Sequence, residues 1–239
     1  MKALLLAAGR GTRISRHLNG NPKCTVDIGN EMPLICYTVS QLREHGVDQI
    51  AVVTGYRNAV VEKTLEGTDV RFFYNPFFDV TNSIASAWFA RDFIRDDDIL
   101  IMNADVFCEH ALYDDILAVK DSPVVFYDTT RIEDADYKFF CENGEVRKYG
   151  KELTPEETSG EYVGIAKLAK DFTPRFMEQL EEMIRTQQHS VWWENVLYSL
   201  SERIPLRACD VAGKFWAEVD YIEDYKRIMS YVAQHNGQG

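Results

Sequence analysis

ALLLAAGRGTRISRHLNGNPK, residues 3–23, decides how the rest of the chain is read, because it joins a short apolar strand to a loop built to lie against phosphates. Leu4, Leu5 and Leu6 form a continuous apolar run, the pattern of a strand buried on both faces. Ala7, Ala8, Gly9 and Gly11 then leave the backbone bare enough for a ligand to approach closely. Lys2, Arg10, Arg13, Arg16 and Lys23 all precede the first acid, Asp27, in a chain whose formal net charge is -12. A basic loop inside an acidic protein points to one polyanion held in one place and argues against a nucleic-acid surface.

The glycines alone do not separate the candidate folds, since a GxG after a strand also opens dinucleotide-binding domains. Ile14 stands where GxGxxG needs its third glycine, and no GxxxxGKS or GxxxxGKT loop occurs. What is present is LxxAxGxGxR, ending at Arg13, followed by Pro22 and Lys23.

At 239 residues and 46% hydrophobic, the chain can bury a sizeable core in one domain. No apolar run approaches the roughly 18 residues of a membrane span, and the N-terminal apolar segment meets arginines too soon for a signal peptide. The expectation is a cytoplasmic protein without membrane insertion. Cysteines 24, 36, 108, 141 and 209 show no metal-like spacing and are read as reduced thiols, with Cys24 a small loop residue beside Lys23.

Strands and helices alternate through the first half. Pro33 suits a helix first turn, Ile35, Val39 and Leu42 share one face, and Gly46 stops the helix. QIAVVTGY, VRFFYNP, DILIMNAD and SPVVFYDT read as strands, VEKTLEG as a helix, and Asn82 and Ser83 as the cap of a helix with Ile84, Ala87 and Trp88 inward. This order implies an α/β protein with three layers, a mostly parallel central sheet, and ligands beyond the carboxyl ends of the strands. After residue 130, Asn143-Gly144 between YKFFC and EVRKYG predicts a small antiparallel hairpin excursion. GEYVGIAKL returns as a strand, and Phe172, Phe176, Leu180 and Ile184 mark a helix. HSVWWENVLYSL reads as a second helix, and a last helix carries Ile222, Tyr225, Met229 and Val232 inward before an HNGQG tail. The division expected is 1–130 for the nucleotide, 131–220 for the acceptor and 221–235 for the C-terminal helix, within a single domain spanning 1–239.

Two acids stand out. Asp105 ends a buried strand on the ligand side, where it can hold Mg2+ or simply close a turn. Asp220 can cap the last helix, which does not exclude metal binding.

The combined pattern resembles the nucleotidyltransferases that join a nucleoside triphosphate to a phosphorylated small molecule. Over nearly the whole chain it is most similar to the bacterial phosphocholine and phosphonate cytidylyltransferases, through NPKC, TNS at 81–83, NAD at 103–105, WWENVLYSL and FWAEVDYIEDY. That resemblance implies a Rossmann-like nucleotidyltransferase fold. It implies a nucleotide site of Leu6, Ala7, Ala8, Gly9, Arg10, Gly11, Thr12, Arg13, Lys23, Asn82, Ser83 and Asp105. It also implies that Arg13 and Lys23 neutralise phosphate charge, and that Asp105 and Asp220 hold the catalytic Mg2+, these four residues forming the catalytic group.

The reaction expected is transfer of CMP from CTP to a small phosphate or phosphonate acceptor of the phosphocholine or 2-aminoethylphosphonate type, with release of pyrophosphate and no covalent nucleophile. Tyr162, Trp192, Trp193 and Trp216, with Glu161, Glu194 and Glu218 beside them, are candidates for an aromatic, acidic pocket around an ammonium head group, the alternative being core packing. Lys138 or Lys148 on the hairpin are offered as contacts for the acceptor phosphate. Two alternatives stay open: a sugar 1-phosphate nucleotidyltransferase using UTP or dTTP, and a nucleotide-binding regulatory protein without catalysis. A homodimer is compatible with the sequence.

Overall fold

The computed structural model describes residues 1–14 and 17–235, so Arg16 and residues 236–239 of the tail lie outside the described residues. The first half contains β1 (Lys2–Ala7), α1 (Leu34–Glu44), β2 (Gln49–Thr54), α2 (Asn58–Thr64), β3 (Arg71–Tyr74), α3 (Ser83–Phe89), α4 (Arg91–Ile94) and β4 (Ile99–Asn103). Then come β5 (Val106–Cys108), α5 (His110–Ala118), β6 (Val124–Asp128), β7 (Lys138–Glu142), β8 (Glu145–Gly150) and β9 (Gly160–Leu168). The chain closes with α6 (Thr173–Arg185), α7 (Asn195–Leu200), β10 (Arg207–Asp210), β11 (Trp216–Glu218) and α8 (Ile222–His235).

One nine-stranded sheet, in the order β3-β2-β1-β4-β9-β6-β10-β8-β7, runs through both halves of the chain. Parallel pairing joins β3, β2, β1 and β4, and again β6 and β10. β9 runs antiparallel between β4 and β6, and β8 antiparallel to β10 and β7, so every other strand of this sheet points the same way. The hairpin therefore extends the sheet edge instead of leaving it, and positive φ at both Asn143 (55°) and Gly144 (72°) gives it the expected tight turn.

The apolar run of β1 is continuous because each face of the sheet is covered. Leu4 and Leu6 join a cluster with Ile84, Phe93, Phe176 and Trp193, while Ala3, Leu5 and Ala7 join another with Ile35, Leu42 and Tyr113. These are the two helical layers. A smaller cluster of Ile14, Leu34, Phe107, Val219 and Ile228 seats α8 against the short antiparallel ribbon of β5 and β11.

Two helices differ from expectation. The aromatic helix is confined to Asn195–Leu200, because the residues before it give their backbone groups to the start of α3: Asn82 N–H donates to His189 O at 2.8 Å and Trp193 N–H to Ser83 Oγ at 3.0 Å. In α8 the inward stripe is Tyr225, Ile228, Tyr231 and Val232, without Ile222 and Met229, since Tyr231 stacks on Phe215 at 4.2 Å and sets the rotation of the helix. Among the described residues no helix is long and apolar enough to cross a membrane, and all five cysteines are free thiols.

Candidate active site

A cleft of about 330 Å³ opens where β1 and β4 end, lined by Leu6, Ala7, Ala8, Gly9, Gly11, Lys23, Asn82, Ser83 and Asp105. These were expected together. Arg10, Thr12 and Arg13 do not line it; Arg10 lies over the Tyr56 ring, 5.6 Å from its centre, and Arg13 faces the adjoining pocket. Gly11 adopts φ +60°, and a Cβ there would stand 2.7 Å from Lys23 Cγ, so the bare backbone is what lets the lysine stem cross the loop. Cys24, beside it, is buried, and burial pushes its thiol well above the usual range, the opposite of an activated nucleophile. Asn75, Phe78, Thr81, Ser86 and Asn103 also line it, none of them among the expected site residues, together with Pro22, Cys24, Ala104, Trp192 and Glu218. Asn103 was legible in hindsight, because it sits two residues before Asp105 at the carboxyl end of the same strand.

The β5–β11 ribbon brings the two candidate metal acids together. Glu218 pairs with Val106, and Val219 N–H donates to Asp105 O at 2.9 Å, which places Asp220 beside Asp105. Lys23 stands between them, its Nζ 3.2 Å from Asp105 Oδ2 and hydrogen-bonded to Asp220 Oδ1, while Arg13 pairs with Asp220 Oδ2. Burial works against ionisation of Asp220, yet Lys23 and Arg13 hold its carboxyl below the ordinary value. Burial and the neighbouring Asp105 push Glu218 well above its own. Two carboxylates already converging on one ammonium form an oxygen donor set suited to a hard cation such as Mg2+.

A second pocket of about 260 Å³ adjoins the first and shares Lys23, Asn103, Trp192 and Glu218 with it. Its walls are aromatic and acidic: Tyr137, Tyr162, Trp192 and Tyr198, with Glu161, Glu194 and Asp220, and with Arg13 and Lys151 at its cationic side. Tyr137 meets Trp192 edge-on at 5.4 Å and stacks with Tyr198 at 6.2 Å. Tyr162 Oη, Tyr198 Oη and Glu194 Oε2 are buried in this wall, the Tyr162 hydroxyl beside the Glu194 carboxyl and the Tyr198 hydroxyl beside that of Tyr137. Burial raises the Glu194 carboxyl to about 8. Glu161 is differently engaged: Arg131 pairs with one oxygen, and the Asp136 N–H donates to the other at 2.8 Å.

Three expectations are corrected here. Trp193 is fully buried and donates its indole N–H to Asn103 Oδ1 at 3.1 Å, so it supports the site from the core while Trp192, 42% exposed, forms the wall. Trp216 is likewise core, its indole on Asp128 Oδ2 at 2.8 Å. Lys138 and Lys148 are tied to Leu153 O at 2.9 Å and Glu157 Oε1 at 2.6 Å and line neither pocket; Lys151, just past the hairpin, reaches the second pocket alongside Lys23.

The chain belongs to the family of MobA-like NTP transferase domains, whose model matches residues 3–199. It is 27% identical to a CTP:phosphoglutamine cytidylyltransferase of Campylobacter jejuni, over 94% of this chain and 97% of that one. It is 20% identical to a choline-phosphate cytidylyltransferase of Streptococcus pneumoniae, over 99% of this chain and 100% of the other. The solved structure of the CTP:phosphocholine cytidylyltransferase from Streptococcus pneumoniae superimposes with a TM-score of 0.79 at 18% identity, covering 97% of this chain and 98% of that one, which shows the shared fold.

Proposed function

We propose that this NTP transferase is a Mg2+-dependent cytidylyltransferase that transfers CMP from CTP to a small phosphate or phosphonate acceptor with an ammonium-bearing head group, releasing pyrophosphate. The observation that carries the reading is the pair of pockets meeting at Lys23, Asn103, Trp192 and Glu218, one lined by a glycine loop and the other by aromatic rings and acids. Cytidylyltransferases among the chain's relatives support CTP as the donor.

An acceptor oxygen attacks the α-phosphorus of CTP in line, the bond from that phosphorus to the bridging oxygen breaks, and pyrophosphate leaves with the electron pair. Two anions must meet, so the residues act by positioning and by charge. The loop from Ala7 to Gly11 lets its backbone lie against the nucleotide, and Lys23 and Arg13 exchange their carboxylate partners for phosphate oxygens. Asp105 and Asp220 would hold Mg2+, which supplies positive charge against the crowded phosphate oxygens. In the second pocket the ring faces of Tyr137, Trp192 and Tyr198 and the carboxyl of Glu194 receive a cationic head group, a setting in which cation–π attraction is strengthened by desolvation.

The test is Mg2+-dependent pyrophosphate release, each nucleoside triphosphate being offered with phosphocholine, phosphoethanolamine, 2-aminoethylphosphonate, phosphoglutamine or glucose 1-phosphate. CTP with one amine-bearing acceptor is the expected pair. Release only with a sugar phosphate and UTP or dTTP would replace the ammonium pocket with a sugar site, and CTP binding without release under any acceptor would make the chain a regulatory binder.

A further inference from the structure

The geometry points to a second metal centre, for a zinc-class transition metal, formed by His45, His110 and Asp114 where the end of α1 meets the start of α5. It lies outside both pockets, and none of the three residues lines either one. His110 and Asp114 are one turn apart on α5 and so face the same side, as paired ligands on a helix must. His45, the residue that ends α1, completes the set, and the ligand atoms all lie within 4.8 Å of one another. Tetrahedral bonds of about 2 Å place ligand atoms roughly 3.3 Å apart, so a small closing movement suffices. His45 Nε2 and Asp114 Oδ1 already stand at 3.3 Å.

The hydrogen bonds behind the rings are the second observation. His45 Nδ1 faces the backbone carbonyl of Gln41 at 2.7 Å, an atom that only accepts, so this nitrogen donates and Nε2 is the one a metal would take. His110 Nδ1 donates in the same way to Gln41 Oε1 at 2.7 Å. The Gln41 amide is held in that orientation because its Nε2 donates to Glu44 Oε2 at 3.2 Å. One glutamine, nearly buried at 7% exposure, thus sets the tautomer of both histidines and leaves both Nε2 atoms ready to ligate. Two imidazoles and one carboxylate suit zinc, cobalt or nickel and not Mg2+, which takes oxygen donors. With three protein ligands the fourth position is left to water.

The test is titration of the whole chain with zinc sulfate and, for its spectrum, cobalt chloride, in excess Mg2+, with thermal unfolding as a second readout. The wild type is expected to bind one equivalent and to unfold at higher temperature with zinc. His110→Ala, an exposed position, should bind at least tenfold more weakly and lose the thermal shift while keeping its Mg2+-dependent turnover. Gln41→Leu should also weaken zinc binding, by loosening both rings. Asp105→Asn should bind zinc as the wild type does, which separates this centre from the catalytic acids. Equal zinc affinity in wild type and His110→Ala, a loss confined to Asp105→Asn, or a cobalt–thiolate absorption band from cysteine ligation would each overturn the assignment.

Discussion

The backbone N–H of Val219 donates to the carbonyl of Asp105 at 2.9 Å, and this bond fastens the ribbon that aims Asp105 and Asp220 at one cation. Because Lys23 occupies that point, the three side chains act as one electrostatic unit. Lys23→Ala and Asp105→Ala should each lower turnover by at least about a hundredfold, the scale of lost charge stabilisation in a transition state. Steady-state rates on folded, purified variants check this, and near-normal turnover in either would remove that residue from the catalytic group.

Trp192 and Trp193 should behave in opposite ways. Trp192→Ala removes a half-exposed wall where the two pockets meet and is expected to raise the acceptor KM about tenfold, with a smaller rise in the CTP KM and little change in Tm. Trp193→Ala empties a fully buried site and should cost about 3–5 kcal/mol of stability, visible in a denaturant melt.

Acceptor binding should depend on the charge of Glu194. Its carboxyl is raised to about 8 by burial, so it is mostly protonated at neutral pH until a cationic head group arrives. The acceptor KM should therefore fall as pH rises through about 8, and Glu194→Gln should flatten that part of the profile. The stability effect has the opposite sign. The folded state retains a proton that the unfolded chain loses near 4.5, so this group's contribution is present below that pH and is lost as pH rises toward about 8. Melts from pH 5 to 9 on wild type and Glu194→Gln measure the difference.

Gly11→Ala tests the crossing of the loop by Lys23. The new Cβ would meet the lysine stem at 2.7 Å on a backbone with φ +60°, so the lysine must be displaced. The expected result is a CTP KM raised at least tenfold with a folded circular dichroism spectrum; unchanged kinetics would show that Lys23 has another route to the phosphates.

The nucleotide side of the site was legible because its chemistry is local. Leu6 and Ala7 at the end of β1, the small loop residues and the Pro22-Lys23 pair lie within two dozen consecutive residues and meet at one cleft, while Arg13 from the same stretch faces the adjoining pocket. The acceptor side was only partly legible. Tyr198 lies within WWENVLYSL, whose Trp192 and Glu194 are already candidates, but Tyr137 precedes the hairpin and nothing near it marks it as a wall of the pocket; it arrives there because β7 pairs with β9, where Tyr162 N–H donates to Tyr137 O at 2.8 Å. The same long-range packing decided which tryptophan faces the ligand. Trp192 and Trp193 are neighbours, and the apolar cluster of Leu4, Leu6 and Ile84 buries Trp193 while Asn103 takes its indole N–H; the Asn103 side chain also faces Gly164, where a Cβ would stand 3.1 Å from Asn103 Nδ2.

The β5–β11 ribbon has a consequence for the order in which the molecule comes to life. The glycine loop, Lys23 and Asp105 leave the ribosome early, whereas Asp220 belongs to a stretch made long afterwards and is held in place only once β11 has docked on β5. On the proposed reading, a chain that has not yet made β11 lacks one of the two acids aimed at the cation, and also Glu218, which lines both pockets, so it cannot yet carry out the transfer.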